Sequence, residues 1–174
     1  MSLSVCLLLD DVADRAVRRL WGRLEEAGVT TLLSHTHGRH LPHLTLASLT
    51  SYDPEGVRAA LTALPAAEPL ATRFDALGMF RRSRCWLAPT VTTGLLLRQE
   101  AAVHAVRGTG AEVHPAYRPG DWLPHLTLAP RLRLRELAVL AERVNEILPL
   151  PATLERAALV QTSTGEVEPL PHLV

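Results

Sequence analysis

Lysine is absent from this chain: all 18 basic residues among the 174 are arginine. Aromatic residues are sparse, at 4%, and cysteine occurs twice, at Cys6 and Cys85. Asn145 and Ile147 are the only residues of their types, a bias that fits a GC-rich genome and carries no function of its own. Net charge is missing too, since Lys+Arg is 18 and Asp+Glu is 18. Each scarcity excludes something. A charge-balanced chain with 47% apolar residues is no disordered tail, which needs low hydrophobicity and high net charge. Nor is it a basic nucleic-acid coat; any contact with a nucleic acid must be local. So few aromatics cannot build an extended platform on which a single strand stacks. Two cysteines inside apolar runs read as buried thiols in a reducing compartment rather than as a disulfide framework. The apolar run from Val5 to Leu9 is too short for a signal peptide and lacks a basic flank. No segment approaches the ~20 apolar residues of a membrane span. The expectation is a single cytoplasmic domain, monomeric and without a membrane partner.

Element signals alternate along the chain. Val5–Leu9 reads as a buried strand, and Asp10 and Asp11 offer a cap to a helix whose apolar positions run from Val12 to Leu24 and which Gly28 ends. Residues 29–39 form a polar, histidine-rich loop before a strand over Leu41–Leu49. Asp53-Pro54 opens a second helix, with Asp as cap and Pro at the first helical position. Residues 70–80 read as a strand. The pattern then restarts: strand at Cys85–Ala88, helix over 93–107, strand over Trp122–Ala129, amphipathic helix over 133–148, strand over 152–162. The tail, 165–174, adds an edge strand at most. Lobes of roughly 1–80 and 81–164 are expected.

The two halves share a sequence, not just a pattern. Leu41-Pro42-His43-Leu44-Thr45-Leu46-Ala47 recurs unchanged as Leu123-Pro124-His125-Leu126-Thr127-Leu128-Ala129, 82 residues on when counted from 43 to 125. A strand alternates its side chains between faces, so His and Thr share one face of each copy and the leucines the other. The leucines belong on the core. Packing alone gives no reason for His and Thr to appear twice on the opposite face. A pseudo-twofold axis would bring both such faces to one cleft. Two imidazoles and two hydroxyls converging there suit an in-line displacement at a phosphodiester. A neutral imidazole takes the proton of the attacking group, an imidazolium protonates the leaving oxygen, and the threonines hold the non-bridging oxygens. Such a pair needs no metal or other cofactor.

These motifs resemble those of the two-histidine (2H) phosphoesterase superfamily, whose signature is His, any residue, Thr or Ser, then an apolar residue, twice. Tyr117-Arg118-Pro119-Gly120-Asp121-Trp122-Leu123-Pro124-His125 is similar to the lead-in to the second motif in its 2′-5′ RNA ligase branch, and Cys85-Trp86-Leu87-Ala88 to its central strand. The resemblance spans nearly the whole chain. It implies an α+β fold of duplicated β-α-β-α-β units, two pseudo-twofold lobes with antiparallel sheets around a central cleft. It implies catalytic roles for His43 and His125 and phosphate binding by Thr45 and Thr127. The implied substrate is an RNA end or small nucleotide carrying a 2′,3′-cyclic phosphate or a related 2′-linked phosphodiester, and the implied reaction is hydrolysis. Two alternatives stay open: 2′-5′ RNA ligation by the reverse reaction, and a nucleotide-binding module without turnover.

Other residues are candidates for the cleft. Tyr117 and Trp122 flank the second motif, and Trp86 reads as core. His40 is the best placed of the His35, His37 and His40 group, which reads as a polar loop at the cleft mouth rather than a metal site, for lack of a nearby carboxylate or thiolate. Where many relatives place an arginine soon after the second motif, Ala129-Pro130 intervene and Arg131 follows. Arg81, Arg82 and Arg84 make a basic turn between the halves that reads equally well as a phosphate-binding group and as solvated surface.

Overall fold

The computed structural model describes residues 2–172. Uncharged Leu3–Leu9 (β1) is buried along nearly its whole length and pairs on both edges. Asp11–Glu26 (α1) follows. The Asp10 carboxylate accepts the Val12 and Ala13 N–H groups and, with its other oxygen, that of Thr153. The cap thus starts the helix and anchors it to a distant strand. Ala13, Val17, Leu20, Trp21 and Leu24 form the buried stripe; each of the larger ones contributes roughly 1.5–3 kcal/mol by leaving water. His43–Ser51 (β2) precedes Pro54–Thr62 (α2), capped by Asp53 as its sequence predicts, and Leu70–Phe80 (β3) closes the first half.

The second half runs Arg84–Pro89 (β4), Thr93–Gly108 (α3), Glu112–Val113 (β5), Leu126–Ala129 (β6), Leu137–Asn145 (α4), Leu150–Gln161 (β7) and Val167–Pro169 (β8). β6 is shorter than the strand expected over Trp122–Ala129. Pro124 has no N–H for a ladder, and residues 118–122 close a turn through the Asp121 and Trp122 N–H groups on the Arg118 carbonyl. α4 is likewise shorter than 133–148. Its entry is a 3-10 turn over Leu134–Glu136, with the Glu136 carboxylate drawn back onto the Arg133 N–H, and Pro149 bars helical geometry at Leu148.

All strand pairs are antiparallel and join one open sheet in the order β5-β2-β1-β7-β3-β4-β6, with β8 on β7. The fold is α+β, as expected. The order has a symmetry: β2-β1-β7 mirrors β6-β4-β3, and the two trios meet where β7 pairs with β3. The third strand of each half therefore pairs with the first strand of the other. Register shifts fall at matching places, between Val5 and Cys6 and between Cys85 and Trp86, so Cys6 lies opposite Thr45 as Trp86 lies opposite Thr127. Among the described residues no helix is long and apolar enough to cross a membrane.

Candidate active site

Each motif opens with Leu-Pro. Proline holds the preceding residue extended, and in both copies that residue's carbonyl meets the histidine ring. His43 Nδ1 lies 2.6 Å from the Leu41 carbonyl oxygen, and His125 Nδ1 lies 2.8 Å from that of Leu123. A carbonyl only accepts, so Nδ1 carries the proton in both rings. Nε2 is left with its lone pair in both. Leu44, Leu46, Leu126 and Leu128 are fully buried on the opposite face, as alternation requires.

The motif faces meet. His43, Thr45, His125 and Thr127 line one cavity of about 370 Å³, together with His40, Tyr117, Arg84, Ser4 and Cys6. Among the described residues no carboxylate lines it, and Arg84 is its only permanently charged side chain. Both catalytic-candidate rings are half-buried. Burial pushes the His43 pKa down, against the pull of the Leu41 carbonyl. Burial does the same to His125, with His43 and Arg84 adding to the effect and the Leu123 carbonyl opposing it. His40 falls to about 4, through burial and its histidine neighbours. Burial raises the Cys6 thiol to about 12 and also raises the Tyr117 phenol, so both stay neutral donors. Among the described residues the cavity offers imidazoles, hydroxyls and one guanidinium and no carboxylate, a set that suits an anion.

Supports reach the motifs from α3 and from the lead-in segment. The Trp122 indole N–H donates to the Thr45 carbonyl at 3.0 Å. Buried Gln99, on α3, donates to the carbonyls of Leu46 and Tyr117, at 3.2 and 2.8 Å. The first motif is thereby tied to the segment that leads into the second. On the other side, Phe80 meets the His125 ring edge-on, with centroids 4.8 Å apart, and Trp86 lies 6.0 Å away. Trp86 lies across Gly78, where an added Cβ would run into its indole, which explains a glycine inside a strand.

The expected cleft residues divide. His40 and Tyr117 line the cavity, and so do His35 and His37. Arg131 lies in an adjoining compartment of about 490 Å³, which shares Arg84, Tyr117, His125 and Pro130 with the first and also takes in His114. Trp122 lines neither; its ring belongs to the core, at 9% exposure, and the expected place in the cleft gives way to a supporting role. Among the described residues no three histidine, cysteine or carboxylate groups are arranged to hold a metal ion. Two residues that sequence reasoning underweighted or missed are Arg84 and Gln99. Arg84 had a signal: it stands two positions before Trp86 on β4, hence on the face that meets Thr127. Gln99 had none beyond a polar residue on the buried side of a helix.

The model of the 2′-5′ RNA ligase superfamily matches residues 9–166. No curated protein matches in sequence. Among solved structures, E. coli LigT in apo form is similar over 97% of this chain and 94% of its own, at 17% identity and a TM-score of 0.62. A phosphoesterase covers the same shares at 19% identity and 0.58. The protein TT0787 of Thermus thermophilus covers 99% of both chains at 20% identity and 0.58. These three likenesses concern the fold. The family match takes in both motifs and every helix and strand except most of β1 and all of β8, so this chain belongs to the 2′-5′ RNA ligase superfamily of two-histidine phosphoesterases.

Proposed function

We propose that the protein is a phosphodiesterase that opens 2′,3′-cyclic phosphates, on RNA ends or small nucleotides, by acid–base catalysis between His43 and His125. The observation that carries this reading is the pair of imidazoles held in one tautomer, with both Nε2 atoms free and no carboxylate on the wall of their one cavity among the described residues. One Nε2 takes a proton from water as its oxygen attacks phosphorus in line. The other, protonated, gives its proton to the ribose oxygen that leaves. The cyclic diester and water become an acyclic monoester. Thr45 and Thr127 donate to the non-bridging oxygens, and Arg84 balances the charge gathering there. LigT has also been solved with NADP+ and with 3′-AMP, which supports a nucleotide-sized ligand for this cavity as well.

Incubating the protein with a 2′,3′-cyclic nucleotide in EDTA, and reading the product by ³¹P NMR, tests the proposal. Turnover to a single monophosphate is expected, unchanged by the chelator. Activity that EDTA abolishes and zinc or manganese restores would overturn the metal-free mechanism.

The pH dependence has a defined sign. Both pKa values are depressed in the free protein, so the singly protonated pair is populated below the ordinary imidazole value of about 6.5. The kcat/KM profile should be a bell whose alkaline limb begins at or below that value. The kcat profile reports the complex, where the phosphate charge favours imidazolium, and its limbs should lie higher. A kcat/KM that rises steadily to pH 9 would contradict the acid role. Thr45→Ala or Thr127→Ala removes one bond to a charged oxygen, worth about 1–3 kcal/mol, and kcat/KM should fall roughly 5- to 150-fold by steady-state assay.

A further inference from the structure

The paired motifs alone do not say which way round a substrate lies, because the two histidines are held alike. The charges break that symmetry. With Cys6 opposite Thr45 and Trp86 opposite Thr127, Ser2 and Ser4 occupy, in the lead-in to β1 and on it, the places that Arg82 and Arg84 occupy in the lead-in to β4 and on it. Among the described residues the wall beyond His43 is thus neutral where the wall beyond His125 is cationic. Arg81, Arg82, Arg84 and Arg131 all line the 490 Å³ compartment on that side, with Asp121 as the one carboxylate among the described residues. None of the four forms an ion pair among the described residues, whereas seven other arginines do. The arrangement is held. Arg82 and Ser83 both take left-handed backbone, at φ 68° and 61°, which costs roughly 1–2 kcal/mol per residue without glycine. The Leu132 N–H donates to the Ser83 carbonyl at 2.8 Å, so the turn is fastened to the segment that carries Arg131.

We propose that this compartment binds a second phosphate group of the substrate, an ester on the same nucleotide as the reacting cyclic phosphate, and so orients that nucleotide between His43 and His125. The proposal rests on the phosphodiesterase reading above and narrows its substrate class. Four guanidinium groups around one space repel one another unless an anion joins them, and guanidinium forks match phosphate oxygens two at a time. The compartment opens directly onto His125, so one ligand spans both spaces. Phe80, packed against His125, supplies an apolar surface between them. The second phosphate comes either from the upstream linkage of an RNA chain or from a 5′-phosphate on a free nucleotide.

The test compares adenosine 2′,3′-cyclic phosphate, its 5′-phosphorylated form, and a dinucleotide ending in the same cyclic phosphate. Wild-type kcat/KM should be at least tenfold higher for the second or third than for the first. Which of the two gains more identifies the source. In an Arg81→Gln/Arg82→Gln double variant the advantage should shrink below about threefold, with the first substrate unaffected. Equal kcat/KM for all three, or an advantage that survives the double substitution, overturns the proposal. If nothing is turned over, it is the phosphodiesterase reading that fails, and calorimetry still decides this one. Adenosine 3′,5′-bisphosphate should bind at least tenfold tighter than 3′-AMP to wild type but not to the double variant; equal binding to wild type refutes the second-phosphate site.

Discussion

Replacing His43 or His125 with alanine should lower kcat on any active substrate by ~10²–10⁴-fold, the usual contribution of one general acid or base, or about 3–5 kcal/mol of transition-state stabilisation. KM should change far less, because the imidazoles act on protons in transit while the threonines and Arg84 hold the reacting phosphate. The double variant should be little worse than either single one, since the two rings serve one displacement. Their pH profiles carry more than the rates. Each single variant should lose one limb of the bell, and the limb it loses names the role of the missing ring. Near-wild-type turnover in either single variant would remove that histidine from the chemistry.

Trp122→Ala should be the most damaging change outside the motifs. Its indole fills a core position and donates to the Thr45 carbonyl. Truncating a buried tryptophan costs about 3–5 kcal/mol, a loss of roughly 6–20 °C in Tm for a chain of this size. Trp122→Phe separates the two parts. It keeps most of the volume but leaves the carbonyl unpaired, at about 1–3 kcal/mol, and kcat should fall because Thr45 and His43 share that strand. A residue that stacked on substrate would behave otherwise, raising KM with Tm unchanged. Thermal melts beside steady-state kinetics distinguish the two.

Local signals carried much of this fold. Asp10 and Asp53 start helices where their sequences say, because a carboxylate two or three residues ahead of free N–H groups needs no tertiary context. The alternation of His-Leu-Thr-Leu sorted cavity from core correctly, because period two is a property of any strand. Pairing was not local. Nothing in Leu70–Phe80 or Leu150–Gln161 says which strand of which half each will join, and β5 is two residues long with no signal of its own. The strand at the second motif is shorter than its pattern suggests because Pro124 lacks an N–H for the ladder. Proximity in sequence to His125 suggests a place for Trp122 in the cavity. Its indole instead lies under the first motif, 77 residues away along the chain. The tautomer lock was written in Leu-Pro-His from the start, but only the carbonyl contacts give it meaning.

The pairing of β1 with β7 also sets a timetable for synthesis. β1 emerges first, and its partner follows about 140 residues later. At ribosomal speeds of about 5–20 residues per second, that is roughly 7–30 s. Throughout that interval Leu3–Leu9, uncharged and without proline, has one ladder edge open. Such an edge recruits other chains as readily as its own. The hairpin with β2 and the cap of α1 can form early, yet Asp10 also waits for Thr153. The half that carries His43 is therefore made first and completed last, and its escape from aggregation depends on what shields one short strand while the rest of the chain is being made.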